Sequence, residues 1–261
     1  MRVCTLASSS SGNCAVVSRG STHLLIDAGI SLRRIKAGLQ LIGLSPGDLG
    51  GLLVTHDHID HVSGIGMLTK HFKTPVFLSF GASDGVSSAH PESEPFLNRF
   101  ETGTGFDFGG MIVRSFSTPH DAYGSVGYTF EADGTKLVYA TDLGCVTGEV
   151  ADAAMGADVA VLEANHDRDM LKSSAYPPFL KKRILSGTGH LANNDCGVFA
   201  SHLAVSGTRY IMLAHLSREN NTPGLARSAV EMSLGDVGLI AGKDIQLDVS
   251  PPDSISRILD V

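Results

Sequence analysis

A short segment from residue 56 to residue 61 combines three histidines with two aspartates, in the order His-Asp-His-Ile-Asp-His. Imidazole nitrogens and carboxylate oxygens are ligands of divalent metal ions such as Zn²⁺ and Mn²⁺. On a regular strand the side chain at 61 would point away from those at 56, 58 and 60, so they converge only where the backbone leaves the strand and turns. The segment therefore predicts a metal-binding loop, and the additional histidine favours two metal ions over one. Its candidate ligands are His56, His58, Asp60 and His61.

Three further candidate ligands follow the ends of apolar segments: His120, Asp142 and His215. Any one of them alone is more typical of a capped turn than of a metal ligand. Strand ends at one edge of a sheet can converge on one site, however, and three residues at equivalent positions favour a shared site. The sequence therefore predicts that these residues complete the metal centre begun by the histidine loop.

Other polar residues are candidates for substrate contact or support. His190 precedes a helical pattern, so its imidazole and the N–H groups of the helix start could face an anion; capping of a turn is the alternative. Asn13 and Asn193 could line a pocket, although turn formation explains both equally well. Glu163 and His166 follow a buried strand and could orient metal ligands; a satisfied polar pair beside the site is the alternative.

The elements that must position these residues are short strands and a few amphipathic helices. We expect strands over residues 15–17, 23–26, 52–55, 75–78, 111–113, 128–130, 136–140, 159–162 and 210–213, and helices over 31–41, 194–206 and 224–233. The segment 79–105 is expected to be an irregular loop or a small helix over the site. Strands follow one another without strict βαβ alternation, which indicates an α/β fold of two mixed sheets flanked by helices, a four-layer αββα sandwich. Without a repeat or a Pro-rich linker, residues 1–261 are expected to form a single domain.

Composition limits the classes of partner. The 261 residues carry a net charge of −7, which argues against binding to nucleic acid mainly by bulk charge. Local basic groups at 33–36 and 181–183 could still follow a nucleic-acid backbone, although solvated helix faces are the commoner explanation. The four scattered cysteines indicate buried thiols in a reducing compartment, and no apolar run is long enough for a membrane span. We therefore expect a cytoplasmic protein without a membrane partner.

The sequence resembles the metallo-β-lactamase superfamily, whose hallmark is an H-x-H-x-D-H loop followed by single His, Asp and His ligands. The resemblance extends over essentially the whole chain and is most specific to the YycJ (WalJ) group. The segments that carry it are residues 6–13, 25–29, 54–61, 162–167, 189–193 and 213–221. The resemblance implies a cytoplasmic hydrolase, with DNA exonuclease activity as the expected function.

The resemblance also implies roles for the candidate residues. His56, His58 and His120 would hold one metal ion, and Asp60, His61 and His215 a second, with Asp142 bridging the two. A hydroxide shared by two Zn²⁺ or Mn²⁺ ions would attack the phosphodiester, and Asp60 would orient it. His190 would stabilise the developing charge or protonate the leaving oxygen. With Asn13 and Asn193, it would also contact substrate.

Two other functions stay open at this level, because one fold hosts many reactions. One is a small-molecule hydrolase acting on a cyclic or nucleotide phosphodiester, a thioester or a lactone; the acidic charge favours it, and His190 opposes it. The other is a metal-bound scaffold without turnover, which the apparently complete ligand set opposes. The leading expectation is a dinuclear phosphodiesterase that acts on DNA.

Overall fold

The computed structural model describes every residue from Met1 to Val261. Its strands are β1 (Arg2–Ala7), β2 (Cys14–Arg19), β3 (Thr22–Ile26), β4 (Gly51–Leu53), β5 (Val76–Ser79), β6 (Leu97–Phe100), β7 (Gly105–Phe108), β8 (Met111–Ser117), β9 (Val126–Ala132), β10 (Thr135–Ala140), β11 (Val159–Glu163), β12 (Tyr210–Ala214), β13 (Gln246–Val249) and β14 (Leu259–Asp260). Its helices are α1 (Leu32–Leu41), α2 (Ile59–Val62), α3 (Ile65–Phe72), α4 (Phe80–Ala89), α5 (Gly148–Ala154), α6 (Arg168–Ser173), α7 (Pro178–Ile184), α8 (Asn193–Val205) and α9 (Pro223–Asp236). Two 3₁₀ turns cover Pro46–Asp48 and Pro91–Phe96.

The chain divides into two compact units. Unit 1 comprises Met1–Ser115, Ala122–Val126 and Pro251–Val261, and unit 2 comprises Phe116–Asp121 and Gly127–Ser250. Each unit has a hydrophobic core of its own. The expectation of a single domain stays a prediction.

Unit 1 is built on a mixed sheet with the strand order β14-β1-β2-β3-β4-β5-β6. The strands β1, β2 and β3 are antiparallel, whereas β3 to β6 are parallel. Helix α1 begins after Ser31, whose side chain accepts a hydrogen bond from the N–H of Arg34 as an N-cap. Its residues Ile35 and Leu39, one turn apart, are buried in the unit 1 core. The parallel arrangement of β3 and β4 brings the chain segments after both strands to one edge of the sheet.

In unit 2 the strands lie in the order β13-β12-β11-β10-β9. Strands β9 and β10 form an antiparallel hairpin closed by Asp133-Gly134, both with positive φ, as this two-residue turn requires. Strands β10 to β13 are parallel. Strand β11 is completely buried and β12 nearly so, which explains their apolar sequences. Consequently, the residues that follow β10 and β12 emerge at the same edge as the end of β11.

The sequence-based expectations for the fold are largely confirmed. Two mixed sheets and flanking helices are present, every predicted strand coincides with an observed strand, and the three predicted helices match α1, α8 and α9. The expectation for residues 79–105 is confirmed in part, because α4 and a 3₁₀ turn are present, but strand β6 was not predicted. Helix α4 lacks the pattern of large apolar residues that predicts an amphipathic helix, because its buried positions include small residues such as Ala82 and Ser83. No helix of the chain has the length and apolar character needed to cross a membrane.

The cysteine expectation is confirmed in part. No disulfide is formed, and three of the four thiols are buried. Cys145 is exposed, contrary to the expectation of buried thiols. Burial raises the pKa of Cys4 to about 11, so this thiol is neutral and unreactive.

Candidate metal centre

The four predicted ligands of the histidine loop lie together in unit 1. The loop leaves β4 and turns into α2, so that His56 and His61 are both fully buried. The ring of His56 has its centroid 4.1 Å from that of His61 and 4.6 Å from that of His58. The carboxylate Oδ2 of Asp60 lies 3.5 Å from Nε2 of His61. The predicted convergence by a turn after a strand is therefore present.

A buried carboxylate behind this loop fixes the orientation of two rings. Nδ1 of His61 donates to Oδ2 of Asp27 over 2.8 Å, and Nδ1 of His56 lies 3.0 Å from the hydroxyl of Thr55. The N–H of Thr55 donates to Asp27 over 2.8 Å, and its hydroxyl donates to the same carboxylate over 2.9 Å. With both Nδ1 atoms engaged in this way, Nε2 is the nitrogen that carries the lone pair, as metal-binding histidines require.

Burial raises the pKa of Asp27, although the hydrogen bonds and charge of His61 and the bonds from Thr55 oppose this effect. Asp27 has φ 57°, a left-handed conformation that few residues other than glycine adopt. The sequence predicts no role for Asp27, because an aspartate after an apolar strand is typical of a turn and its φ is visible only in the structure.

The loop is held against the N-terminal turn by backbone contacts. The N–H of Asn13 donates to the carbonyl of Asp60 over 2.8 Å, and the carbonyl of Asn13 accepts from the N–H of Gly29 over 2.8 Å. A Cβ on Gly29 would lie 1.6 Å from the carbonyl oxygen of Asp60, so only glycine fits. The side-chain amide of Asn13 lies 3.1 Å from Nε2 of His61 and 3.3 Å from Oδ2 of Asp60. Asn13 thus touches two predicted ligands, and its contact with substrate stays a prediction.

The three predicted ligands of unit 2 also lie close together. Oδ1 of Asp142 is 3.8 Å from Nε2 of His120 and 3.4 Å from Nε2 of His215. Asp142 and His215 have φ 59° and 56°, left-handed values that turn the chain sharply after β10 and β12. Nδ1 of His120 donates to the carbonyl of Gly189 over 3.0 Å, which again leaves Nε2 to face Asp142. The three side chains therefore lie close together in unit 2, and their role as metal ligands stays a prediction.

Glu163, the last residue of β11, organises this cluster. Its Oε1 accepts from Nδ1 of His190 over 2.7 Å and from Nδ1 of His215 over 3.0 Å. Its Oε2 accepts from the N–H groups of Leu143 and Leu191 over 2.7 and 3.1 Å. Burial alone would raise the pKa of Glu163, but the charges and hydrogen bonds of His190 and His215 outweigh it and hold this pKa well below its usual range. Glu163 is an ionised acceptor for four donors, and its predicted orienting role agrees with these contacts.

The donor atoms of Asp142, Glu163, His190 and His215 all lie within 4.8 Å of one another, close enough to surround a metal ion. Burial lowers the pKa of His120, which favours the neutral imidazole that metal ligation needs. The residues present thus have the donor chemistry of a divalent metal site.

The two candidates for substrate contact in unit 2, His190 and Asn193, differ in exposure. The side chain of His190 is 19% exposed, whereas Asn193 is buried and exchanges two hydrogen bonds of 2.9 Å with Asn221. The amide nitrogens of His190 and Asn193 donate to the carbonyls of Ile184 and His166. The expectation of free N–H groups is therefore wrong for these two residues. A contact of Asn193 with substrate stays a prediction.

Two neighbouring residues of unit 2, Asn165 and His166, make contacts that the sequence did not predict. The ring of His166 is buried and donates to no acceptor, and burial lowers its pKa to about 4. Asn165, which the sequence analysis did not single out, donates its side-chain amide to the carbonyl of His215 over 2.9 Å. An asparagine after a buried strand carries no signal that separates this support from an ordinary turn.

Comparison with known proteins agrees with this arrangement. The model of the family described as β-lactamase superfamily domain matches residues 22–215, most of the chain. A protein of Bacillus anthracis named exodeoxyribonuclease YycJ is 34% identical over 256 residues, covering 97% of this chain and 96% of that protein. The chain belongs to the β-lactamase superfamily. Within the superfamily it is also 34% identical to exodeoxyribonuclease WalJ of Streptococcus pneumoniae, over 98% of this chain and 96% of that protein.

Solved structures of the superfamily share the fold. Zinc-bound PqqB from Methylobacterium extorquens superposes with a TM-score of 0.73 at 20% identity, covering 100% of both chains. The short form of human tRNase Z gives a TM-score of 0.67 at 16% identity, covering 98% of this chain and 99% of that one. These similarities confirm the predicted metallo-β-lactamase fold.

Proposed function

We propose that this protein is a metal-dependent phosphodiesterase that removes nucleotides from the ends of DNA. One observation carries the proposal. Nδ1 is hydrogen-bonded to protein in four of the candidate histidines, so that Nε2 is the nitrogen whose lone pair can bind a metal ion: His56, His61, His120 and His215. Histidines held this way are typical of metal ligands rather than of core histidines. The names of the YycJ and WalJ relatives support DNA as the substrate.

The ligand assignment remains that of the sequence. His56, His58 and His120 would hold one metal ion, Asp60, His61 and His215 would hold the second, and Asp142 would be a ligand of both. The single domain expected for residues 1–261 is part of this proposal. Two bound Zn²⁺ or Mn²⁺ ions would supply Lewis acidity, lowering the pKa of water and neutralising phosphate charge.

His190 acts on the leaving oxygen. Because its Nδ1 donates to Glu163, Nε2 is the ring atom that can hold a proton toward substrate. In this scheme Nδ1 stays hydrogen-bonded to Glu163, and the proton on Nε2 passes to the oxygen released when the P–O bond breaks. Asp60 orients the attacking water, and Asn13 and Asn193 stay candidates for substrate contact. Glu163 is a positioning residue in this scheme.

The predicted location and partners belong to the same proposal. An enzyme that acts on DNA in a bacterial cell works in the cytoplasm, where thiols such as Cys145 stay reduced. A net charge of −7 means that general attraction to DNA is weak. Local residues near the site must therefore hold the strand.

The test uses chelator-treated protein reloaded separately with Mn²⁺ and Zn²⁺. Substrates are end-labelled single-stranded and duplex DNA, closed circular DNA, bis-p-nitrophenyl phosphate and a glutathione thioester. We expect mononucleotides from linear DNA, no cleavage of the closed circle, and slow hydrolysis of the small phosphodiester. Hydrolysis of the thioester without any phosphodiester would contradict the proposal and favour a small-molecule hydrolase.

His190→Ala tests the assigned proton donor. We expect both metal ions to be retained and kcat on DNA to fall by roughly 10²–10³-fold, as for loss of one charge-stabilising group. His202→Ala, which removes an exposed histidine of α8, is the matched control and should leave kcat unchanged. Unchanged kcat in His190→Ala would return this residue to a turn-capping role.

A further inference from the structure

The segment from Arg168 to Ser186, which contains α6 and α7, has a charge opposite to that of the chain. It carries five basic residues and one acidic residue, a local net charge of +4, whereas the whole chain has −7. A concentration of cations on an acidic protein marks a surface that attracts anions. None of the residues of α7 is buried, so packing does not explain its composition.

Hydrogen bonds connect α7 directly to the candidate site in unit 2. The N–H of His190 donates to the carbonyl of Ile184 over 3.0 Å, and the N–H of Gly189 donates to the carbonyl of Ser186 over 3.0 Å. The guanidinium of Arg183 forms an ion pair with Asp121, the residue after His120. The C-terminal end of α7 therefore lies beside His190 and is fixed there from two sides.

One face of α7 combines an aromatic ring with cations. Phe179 is 74% exposed, and Lys182 and Arg183 follow it by three and four residues, which places all three on neighbouring positions of the helix surface. Lys181 has a different task, because its Nζ donates to the carbonyls of Lys172 and Ser174 over 2.6 and 2.7 Å and fastens α7 to α6. An exposed phenyl ring beside two cations, on a helix fixed at its base, is a combination that general helix stability does not require.

We infer that the Phe179-Lys182-Arg183 face of α7 binds the single-stranded end of the DNA substrate and leads it to His190. Phe179 stacks on a base and Lys182 contacts a neighbouring phosphate, the combination by which proteins bind single strands without reading their sequence. Arg183, paired with Asp121, holds the end of the helix beside His190 and adds positive charge to the face. Charge complementarity selects a polyanion, and the aromatic ring selects unpaired bases. This inference rests on the proposed nuclease function and adds to it the surface that holds the strand.

The test measures binding and turnover separately. The full-length protein, kept in EDTA so that no strand is cut, is titrated into fluorescein-labelled single-stranded (dT)20 at several salt concentrations. Phe179→Ala should raise Kd about 5- to 100-fold, as expected for loss of one stacked base. Lys182→Ala should weaken binding and lower the slope of log Kd against log salt by about 0.7 to 1. Leu41→Ala and Lys243→Ala, exposed residues of unit 1 and unit 2, are the controls and should leave Kd unchanged.

Three results would overturn the inference. Unchanged Kd in both α7 variants, with a lower Tm in Lys182→Ala, would mean that the cations only stabilise the end of the helix. An equal loss of affinity in Phe179→Ala for (dT)20 and for relaxed, covalently closed circular duplex DNA, which has no unpaired bases, would exclude stacking on unpaired bases. Failure of the wild-type protein to bind (dT)20 would exclude the surface altogether.

Hydrolysis separates this inference from the proposed function. With metal restored, the α7 variants should cleave bis-p-nitrophenyl phosphate at the wild-type rate and (dT)20 more slowly at low substrate concentration. Normal DNA cleavage by these variants would leave the nuclease proposal intact and refute the α7 surface. Binding by α7 without any phosphodiester cleavage would do the reverse.

Discussion

The two units supply ligands in different ways. In unit 1 the candidate ligands are four residues of one hexapeptide, and one carboxylate, that of Asp27, supports one of them directly. In unit 2 they lie far apart in sequence, and Glu163 supports both His190 and His215. The first arrangement depends on a local turn. The second depends on sheet topology, because Asp142 and His215 follow β10 and β12, which are the parallel neighbours of β11. Unit 2 should therefore depend more strongly on its supporting carboxylate.

The pKa values of the two supporting carboxylates, Asp27 and Glu163, are shifted in opposite directions. The pKa of Asp27 is raised because burial outweighs the help of His61 and Thr55. The pKa of Glu163 is held well below its usual range by His190 and His215. Two imidazoles and two backbone amides thus keep Glu163 ionised. We therefore expect the charge of Glu163 to matter more for unit 2 than that of Asp27 matters for unit 1.

The largest expected effect is that of Gly29→Ala, which attacks the local turn of unit 1. The new Cβ would lie 1.6 Å from the carbonyl oxygen of Asp60, a backbone overlap that no rotamer relieves. We expect a loss of about 3 kcal/mol or more in stability and at least ~100-fold in kcat. Urea unfolding and DNA cleavage measure both.

The matched control is Gly235→Ala in α9, where an added Cβ has no atom within 4 Å. This variant should be slightly more stable than the wild type, by up to about 1 kcal/mol, because alanine favours the helix. Equal stability and equal kcat in the two glycine variants would show that the close approach of Gly29 to Asp60 affects neither folding nor activity.

Glu163→Gln should have the next largest effect, and it should exceed that of the corresponding change in unit 1. An amide nitrogen must face either the two imidazole N–H groups or the two backbone N–H groups, so two donors lose their acceptor. We expect kcat to fall by roughly 10²–10³-fold. Glu163→Asp should restore part of the activity, whereas a purely steric role predicts that glutamine is the better replacement.

Asp27→Asn should have a smaller effect, because His61 is the one candidate ligand that this carboxylate holds directly, and its other donors come from Thr55. We expect metal affinity to fall about 10- to 100-fold, with kcat near the wild-type value once the protein is saturated with metal. Metal titration followed by activity at saturation separates the two quantities. A loss of kcat as large as in Glu163→Gln would contradict the difference between the units.

The smallest effect concerns acid stability and the buried ring of His166. Burial lowers its pKa to about 4, while a histidine in an unfolded chain titrates near ~6.5. Between these values only the unfolded chain binds the proton, so stability is complete above about pH 6.5 and falls as the pH drops toward 4. His166→Leu should lose about 1 kcal/mol less than the wild type between pH 7 and pH 5 in urea unfolding. The exposed His202→Leu is the control, and identical pH slopes for His166→Leu and wild type would refute this account.

The same comparison explains what the sequence could predict. The candidate ligands of the unit 1 hexapeptide could be predicted, because their residue types and spacing lie within six consecutive residues. Those at the ends of β10 and β12 could be predicted because a single polar residue follows an apolar segment. The strands were predictable for the same reason, since buried parallel strands are continuous apolar segments. Helix α4 was not, because small residues such as Ala82 and Ser83 occupy most of its buried positions. Strands β6 and β7 were not, because each has four residues and Phe100 is the one that is buried.

The supporting residues were harder to predict than the ligands. Glu163 could be named as an orienting residue, but its partners depend on which strands are neighbours. Asp27 acts through a hydrogen bond to a residue 34 positions away, and nothing in its own surroundings distinguishes it from a turn aspartate. Such contacts are products of sheet topology, and a single sequence contains no record of them.

The central claim is that the candidate ligands hold two divalent metal ions, and metal content tests it most directly. Protein freed of metal and then titrated with Mn²⁺ or Zn²⁺ should retain two ions per chain by elemental analysis after removal of the excess. Asp142→Ala should retain fewer than two and lose most of its activity on DNA. Retention of two ions by Asp142→Ala would contradict the bridging role, and one ion or none in the wild-type protein would contradict the two-metal site itself.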